Sequence, residues 1–127
     1  MTAEAKSHAH KRILVVEDES MIRMLLDGMI TDLGHSVAGE AGRVDAATAL
    51  ARQADFDIAI LDVNLNGEAI TPVVEILLQR GLPFVFVSGY GPNGVPEAYR
   101  QHPILQKPFQ AEALARALET AALKPAG

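Results

Sequence analysis

The sequence predicts one α/β domain: a doubly wound, five-stranded parallel sheet with helices on both faces. Short apolar runs rich in valine, isoleucine and phenylalanine alternate five times with stretches of helical spacing. Several runs are apolar without a polar alternate, the pattern of strands buried on both faces. The length of 127 residues is that of a single domain.

Residues 1–11 are alanine, charge and histidine without periodicity and read as a flexible tail, leaving a domain over residues 12–124. Expected strands are ILVV (13–16), SVAGEA (36–41), IAIL (58–61), FVFV (84–87) and ILQ (104–106). The first helix carries Ile22, Leu25, Leu26, Met29, Ile30 and Leu33 on one face, with Met21 and Met24 as core or rim filler, and stops at Gly34. A second, weaker face is Ala47, Leu50, Ala51 and Ala54, and a third is Ile70, Val73, Val74, Leu77 and Leu78, closed by Gly81. The last helix starts near Gln110 with Ala111, Leu114, Ala115, Leu118 and Ala122 inward. After the fourth strand, GYGPNGVPEAYRQH carries three glycines and two prolines, so only a short or mobile fourth helix is expected around Pro96 to Arg100. Right-handed crossovers leave few topologies, and the flavodoxin-like order 2-1-3-4-5 is the commonest.

Composition narrows the function classes. An apolar fraction of 49% and a charged fraction of 21% fit a soluble globular chain. With no cysteine, disulfide scaffolds, thiol chemistry and thiolate zinc sites are excluded. A net charge of −5 argues against a nucleic-acid partner. No apolar run approaches the ~20 residues of a membrane span, and the polar N-terminus has no signal-peptide core. The expected setting is therefore cytoplasmic, with neither membrane nor nucleic acid as partner.

In a parallel sheet the C-terminal strand ends share one edge, where ligands bind. The first strand runs into Glu17, Asp18 and Glu19, the third into Asp62, the fourth into Ser88 and the fifth into Lys107. Taken singly, these residues are helix-capping acids, a turn aspartate, a loop hydroxyl and a surface lysine. Together they place four carboxylates, a hydroxyl and an ammonium on one edge. Packed carboxylates repel, and a hard divalent cation resolves the conflict: Mg2+ takes oxygen ligands, with phosphate oxygens among them. A carboxylate beside such a metal can act as a nucleophile toward phosphorus. Lysine and a hydroxyl then neutralise and orient phosphoryl oxygens.

From Arg12 to about Leu123, these residues in this order resemble the receiver domain of two-component response regulators, with its CheY-like fold. The resemblance rests on the acidic pair Glu17-Asp18, the acceptor Asp62, the hydroxyl Ser88 and the dipeptide Lys107-Pro108. It implies that Asp18 and Asp62 ligate Mg2+ through carboxylates, Asn64 through its backbone carbonyl, and that Glu17 helps hold the ion. It implies a cis Lys107-Pro108 peptide, which proline makes accessible. PFVFVSGYG (83–91), DVNLNGE (62–68) and LQKPF (105–109) look like the FAT GUY subgroup, with Val87-Ser88 in place of Ala-Thr. Members of that subgroup are often single-domain proteins of alphaproteobacteria working with histidine kinases of the HWE type.

The implied function is that of a stand-alone response regulator and phosphoprotein. A kinase phosphohistidine donates to Asp62, and output runs through a downstream protein, a phosphotransfer protein or a phosphate-sink role. Such a protein catalyses only its own aspartyl phosphorylation and dephosphorylation. Two departures touch signalling: the aromatic switch position three before the lysine is Ile104, and the proline expected four after the acceptor is Asn66. The competing readings are a small haloacid-dehalogenase-type phosphatase, a flavodoxin-like electron carrier and an unphosphorylated receiver-fold scaffold. The phosphatase needs an acid two residues after its nucleophile, where this chain has Asn64. The electron carrier needs a hydroxyl-rich phosphate loop, where Glu17-Asp18-Glu19 would repel FMN.

Overall fold

The computed structural model describes residues 10–123. Five strands form the main sheet: β1 (Arg12–Val16), β2 (Ser36–Ala41), β3 (Ile58–Asp62), β6 (Phe84–Ser88) and β7 (Ile104–Gln106). Their order is β2-β1-β3-β6-β7, and every neighbouring pair is parallel. This is the expected 2-1-3-4-5 order. The intervening β4 (Asn64–Leu65) and β5 (Glu68–Ala69) form a two-stranded antiparallel hairpin of their own. The helices are α1 (Ser20–Asp32), α2 (Val44–Gln53), α3 (Thr71–Arg80) and α4 (Ala111–Leu123).

Alternation along the strands divides the core into two layers. Leu14, Val16, Ala59, Leu61, Phe84 and Phe86 face α2 and α3, meeting Ala47, Ala51, Val73, Val74 and Leu77. Ile13, Val15, Ile58, Ile60, Val85 and Val87 face α1 and α4, meeting Leu26, Ile30, Leu114, Leu118 and Ala121. Strands buried on both faces need apolar residues at successive positions, which is why β1, β3 and β6 read as unbroken runs. Their polar residues begin where the sheet ends.

The helix stops follow from glycine chemistry. Gly81 caps α3 at φ 69°, a left-handed conformation that costs a glycine little. Gly34, at φ 89°, follows α1, and the next amide, of His35, reaches back to the Ile30 carbonyl at 3.0 Å. On α1 the expected inward face is too wide: Leu25, Met21 and Met24 are 60%, 74% and 72% exposed. The sheet covers only one stripe of an edge-lying helix, and Leu26 and Ile30 fill it. On α4 the buried position is Ala121 and Ala122 is exposed, a one-residue correction to the periodic reading.

In place of a fourth-strand crossover α-helix there are two 3-10 turns, Gly91–Gly94 and Glu97–Tyr99. Pro92 and Pro96 lack amide donors and the glycines favour no single conformation, so a continuous helix does not form. Tyr99 anchors the segment by donating its hydroxyl to Glu75 of α3 at 2.6 Å. Of the tail expected over residues 1–11, residues 1–9 lie outside the described residues. Lys11 already extends the β1–β2 pairing, its carbonyl accepting the Ser36 amide at 3.0 Å.

Arg80 ties the two helices of one face together. Its Nη1 donates to the Ala51 and Ala54 carbonyls at 2.6 and 3.2 Å, and the guanidinium lies 5.4 Å from the Phe56 ring centre. It thereby supplies donors to carbonyls at the C-terminal end of α2. Arg80→Met should lower stability by about 1–2 kcal/mol, with Arg80→Lys recovering only part because one ammonium cannot reproduce the planar fork. Denaturant midpoints of the three proteins check this.

Candidate functional site

The strand ends carry the expected residues to one place. Val16 leads β1 out of the sheet into Glu17, whose amide donates to the Ala41 carbonyl of β2 at 2.9 Å. Asp62 is the last residue of β3, and its register neighbour on β6 is Val87. Lys107 follows β7, its amide held by the Ser88 carbonyl at 3.0 Å. Its peptide bond to Pro108 is cis, as the resemblance implied.

Glu17, Asp18 and Asp62 each present an oxygen, and these oxygens lie within 4.8 Å of one another. Glu17 and Asp62 are buried and Asp18 is half-buried. Lys107 Nζ donates to Asp62 Oδ2 at 3.1 Å and lies 3.5 Å from Glu17 Oε1. That Glu17 oxygen is buried and receives no hydrogen bond. An all-oxygen donor set, three negative charges against one ammonium and an unsatisfied buried carboxylate oxygen fit a hard divalent cation. The residues present therefore suit Mg2+.

The surrounding backbone fixes these carboxylates. Asp62 Oδ1 accepts the Asn64 amide at 3.0 Å, Asp18 Oδ2 accepts the Asn66 amide at 3.2 Å, and Glu17 Oε2 accepts the Glu19 amide at 3.1 Å. The hairpin β4–β5 makes the Asn66 contact possible. Asn66 and Gly67 both take positive φ, 51° and 86°, as a two-residue I′ hairpin turn requires. Asn64 Oδ1 accepts the Gly67 amide at 2.7 Å and closes the turn. The sequence marked Asn66-Gly67 as a turn, but nothing in it announced that the turn would deliver an amide to Asp18.

A cleft of about 490 Å³ opens over the group, lined by Asp18, Asp62, Asn64, Asn66, Tyr90, Gly94 and Lys107 among others. Ser88 does not line it. Its side chain is fully buried, and Oγ accepts the Tyr90 amide at 3.0 Å. A Cβ on Gly94 would stand 2.1 Å from that oxygen, so the Gly91–Gly94 turn lies directly against the hydroxyl. The structure thus gathers Asp18, Asp62, Asn64 and Lys107 along the cleft, sets the buried Glu17 behind them beside Lys107, and keeps Ser88 beneath the cleft wall. Gly94 was invisible in the sequence, one glycine among several in a turn-rich stretch.

Electrostatics follow the geometry. Burial pushes the Glu17 carboxyl up to about 7; the Asp62 charge adds to this, while the Glu19 amide and Lys107 oppose it. At Lys107, burial works against the charged form, but the hydrogen bond to Asp62 and the charges of Asp62 and Glu17 raise it above the usual lysine value. Unfolded, Glu17 titrates near 4.5. Between that value and about 7 the folded chain binds the proton more tightly than the unfolded one. Stability from this group is therefore full below about pH 4.5 and is lost as pH rises through about 7. Without metal, Glu17→Gln should be more stable than wild type at pH 7.5, by on the order of 1 kcal/mol, with the difference shrinking toward pH 5. Urea unfolding at the two pH values in chelator checks it.

Comparison with known proteins agrees with this geometry. The response regulator receiver domain family model matches residues 13–119. The transcriptional regulatory protein PdtaR of Mycobacterium tuberculosis H37Rv is 32% identical over 124 residues, covering 94% of this chain and 60% of PdtaR. The chain thus spans about 60% of the length of that relative. The chemotaxis protein CheY of Thermotoga maritima is 31% identical over 115 residues, covering 85% of this chain and 94% of CheY. Among solved structures, SdrG from Sphingomonas melonis Fr1 superposes with a TM-score of 0.81 at 42% identity, covering 91% of this chain and 98% of SdrG. With the sheet order, the strand-end carboxylates and the family match in accord, the chain belongs to the response regulator receiver domain family.

Proposed function

We propose that this receiver accepts a phosphoryl group on Asp62 from the phosphohistidine of a histidine kinase, in a Mg2+-dependent reaction. The observation that carries the reading is the convergence of Asp62 with Asp18 and Lys107 in an open cleft, with Glu17 buried beside them. The ion would be held by the Asp18 and Asp62 carboxylates and the Asn64 carbonyl, with Glu17 assisting. When bound, it supplies positive charge that offsets the phosphoryl oxygens. An Asp62 oxygen attacks phosphorus, a P–O bond forms and the P–N bond to the histidine breaks. Lys107, within reach of Asp62, neutralises a phosphoryl oxygen; Ser88 orients another once its hydroxyl is turned into the cleft. Hydrolysis of the acyl phosphate returns Asp62, so the chain would catalyse only its own phosphorylation and dephosphorylation. At the phosphatase's general-acid position stands Asn64, an amide whose oxygen already accepts the Gly67 amide.

Several features support the finer reading. The Pro83–Gly91 stretch favours the FAT GUY subgroup and hence an HWE-type kinase. Met21, Met24 and Leu25 give α1 an exposed apolar face immediately after the acidic pair, suited to a helical kinase surface that brings its histidine to Asp62. A beryllofluoride-activated conformation has been solved for SdrG, 40% identical over 87% of this chain. That supports phosphoryl-driven activation here. Among the described residues no helix is long and apolar enough to cross a membrane; a cytoplasmic setting fits a kinase partner. Output then passes to a downstream protein or a phosphotransfer protein, or ends in a phosphate sink.

The signal would leave through the segment after Ser88. Ile104 has no ring to rotate and is half-buried against the apolar layer shared with α2 and α3. Drawing Ser88 toward the phosphoryl group must displace the Gly91–Gly94 turn that lies on it.

Incubation with a small-molecule phosphodonor and Mg2+ should add one phosphoryl mass to wild type and none to Asp62→Ala, read by intact mass spectrometry. Equal labelling of the mutant overturns the acceptor assignment. Hydrogen exchange with and without beryllofluoride should change across residues 89–100. A response confined to the neighbourhood of Ile104 overturns the proposed route.

A further inference from the structure

The loop that carries the acidic pair is held by a group outside the cleft. Where Glu17 leaves the sheet, its carbonyl accepts a hydrogen bond from Arg23 Nη1 of α1 at 2.5 Å. The other side of the same guanidinium faces Glu40 of β2, with Nε 3.6 Å from Oε1. Behind Glu40 stands Asp27, one turn further along α1, with a buried carboxylate oxygen that receives no hydrogen bond. The two acids face each other, and the contact with Asp27 raises the Glu40 carboxyl above its ordinary value. On the remaining side is Gly42. A Cβ there would stand 2.8 Å from Arg23 Nη1, 3.5 Å from the Glu17 carbonyl oxygen and 3.6 Å from the Asp18 Cα. Arg23 therefore fills a slot between the end of β1 and the turn after β2 that exists because residue 42 has no side chain.

We infer that Arg23 is a positioning residue for the metal and phosphoryl site, clamping the Glu17-Asp18 peptide against β2 through Glu40. The inference rests on the proposed Mg2+ site. A carboxylate ligates well only if its backbone is fixed, and outer groups that orient ligands commonly change metal affinity by ~10–100-fold. Arg23 meets this need by holding the peptide between the two acids rather than the acids themselves. The alternative role, a charge near the cleft, predicts the opposite sign. Removing a cation and leaving Glu40 and Asp27 unopposed makes the neighbourhood more negative and strengthens cation binding. Loss of the clamp weakens it.

The test is Mg2+ titration of the unphosphorylated chain, followed by amide chemical shifts, on wild type, Arg23→Met, Arg23→Lys, Gly42→Ala and Asp18→Ala, with folding confirmed by circular dichroism. Gly42→Ala keeps every charge and dislodges only the guanidinium, so it remains informative should Arg23→Met fail to fold. Both variants are expected to raise the Mg2+ dissociation constant by about tenfold. Arg23→Lys is expected to lie between wild type and Arg23→Met, since an ammonium reaches one partner but not both. A folded Arg23→Met or Gly42→Ala with affinity within about twofold of wild type, or tighter, overturns the inference while leaving the metal site intact. If Asp18→Ala binds Mg2+ as wild type does, the reading of the site itself fails, and the inference with it.

Discussion

Everything at the working edge of this receiver depends on holding like charges together. Glu17, Asp18 and Asp62 bring ligand oxygens within 4.8 Å of one another, and Lys107 is the ammonium set among them. Burial of Glu17 deepens the conflict, because a charge removed from water loses solvation that one lysine at 3.5 Å only partly replaces. The result is a site whose own electrostatics favour a divalent cation or a proton. That crowding of like charge is what a hard divalent cation would relieve.

Such an edge is tolerable because the sheet behind it is insensitive to it. β3 and β6 are buried along their length, as is β1 after Arg12, and each ends where its first acid or hydroxyl begins. Two apolar layers, one against α1 and α4 and one against α2 and α3, carry the stability. Backbone amides then hold the carboxylates in place: Glu19 on Glu17, Asn66 on Asp18, Asn64 on Asp62. Each donor comes from a loop or hairpin whose shape is set locally, so the acids are oriented without a second charged shell inside the cleft.

The β6–β7 side is built differently from the side that carries the acidic cluster. Phe84, Phe86, Tyr99 and His102 form a run of ring contacts there, with centroid separations between 4.5 and 6.3 Å. Burial lowers the His102 pKa, keeping that ring toward its neutral form. Tyr99 connects the run to α3 through Glu75. Ile104 is aliphatic, so the rings packed against Phe84 and Phe86 on this side are those of Tyr99 and His102. Ser88 lies under a glycine turn and not in the cleft.

The sequence by itself determined the five strands of the main sheet, the parallel class and the identity of the edge residues, and it narrowed the strand order to a few topologies, the commonest of which forms. Unbroken apolar runs ending in Glu17, Asp62 and Ser88 have few physical alternatives, and Lys107-Pro108 marks the fifth strand end. Local chemistry also announced Gly34, Gly81 and the Asn66-Gly67 turn, because positive φ favours those residue types. Helical periodicity was less decisive. It placed Leu25 and Ala122 inward, but how wide a stripe a helix buries depends on what the sheet offers opposite it, and that is set between elements. The tertiary structure alone decided that the hairpin amide of Asn66 reaches Asp18, that Gly94 covers Ser88, and that Arg23 reaches across from α1 to the Glu17 carbonyl and Glu40. Each of these joins residues from segments whose relative placement no local pattern encodes. Their contacts exist only because the packed sheet fixes distances that the chain, as a sequence, leaves free.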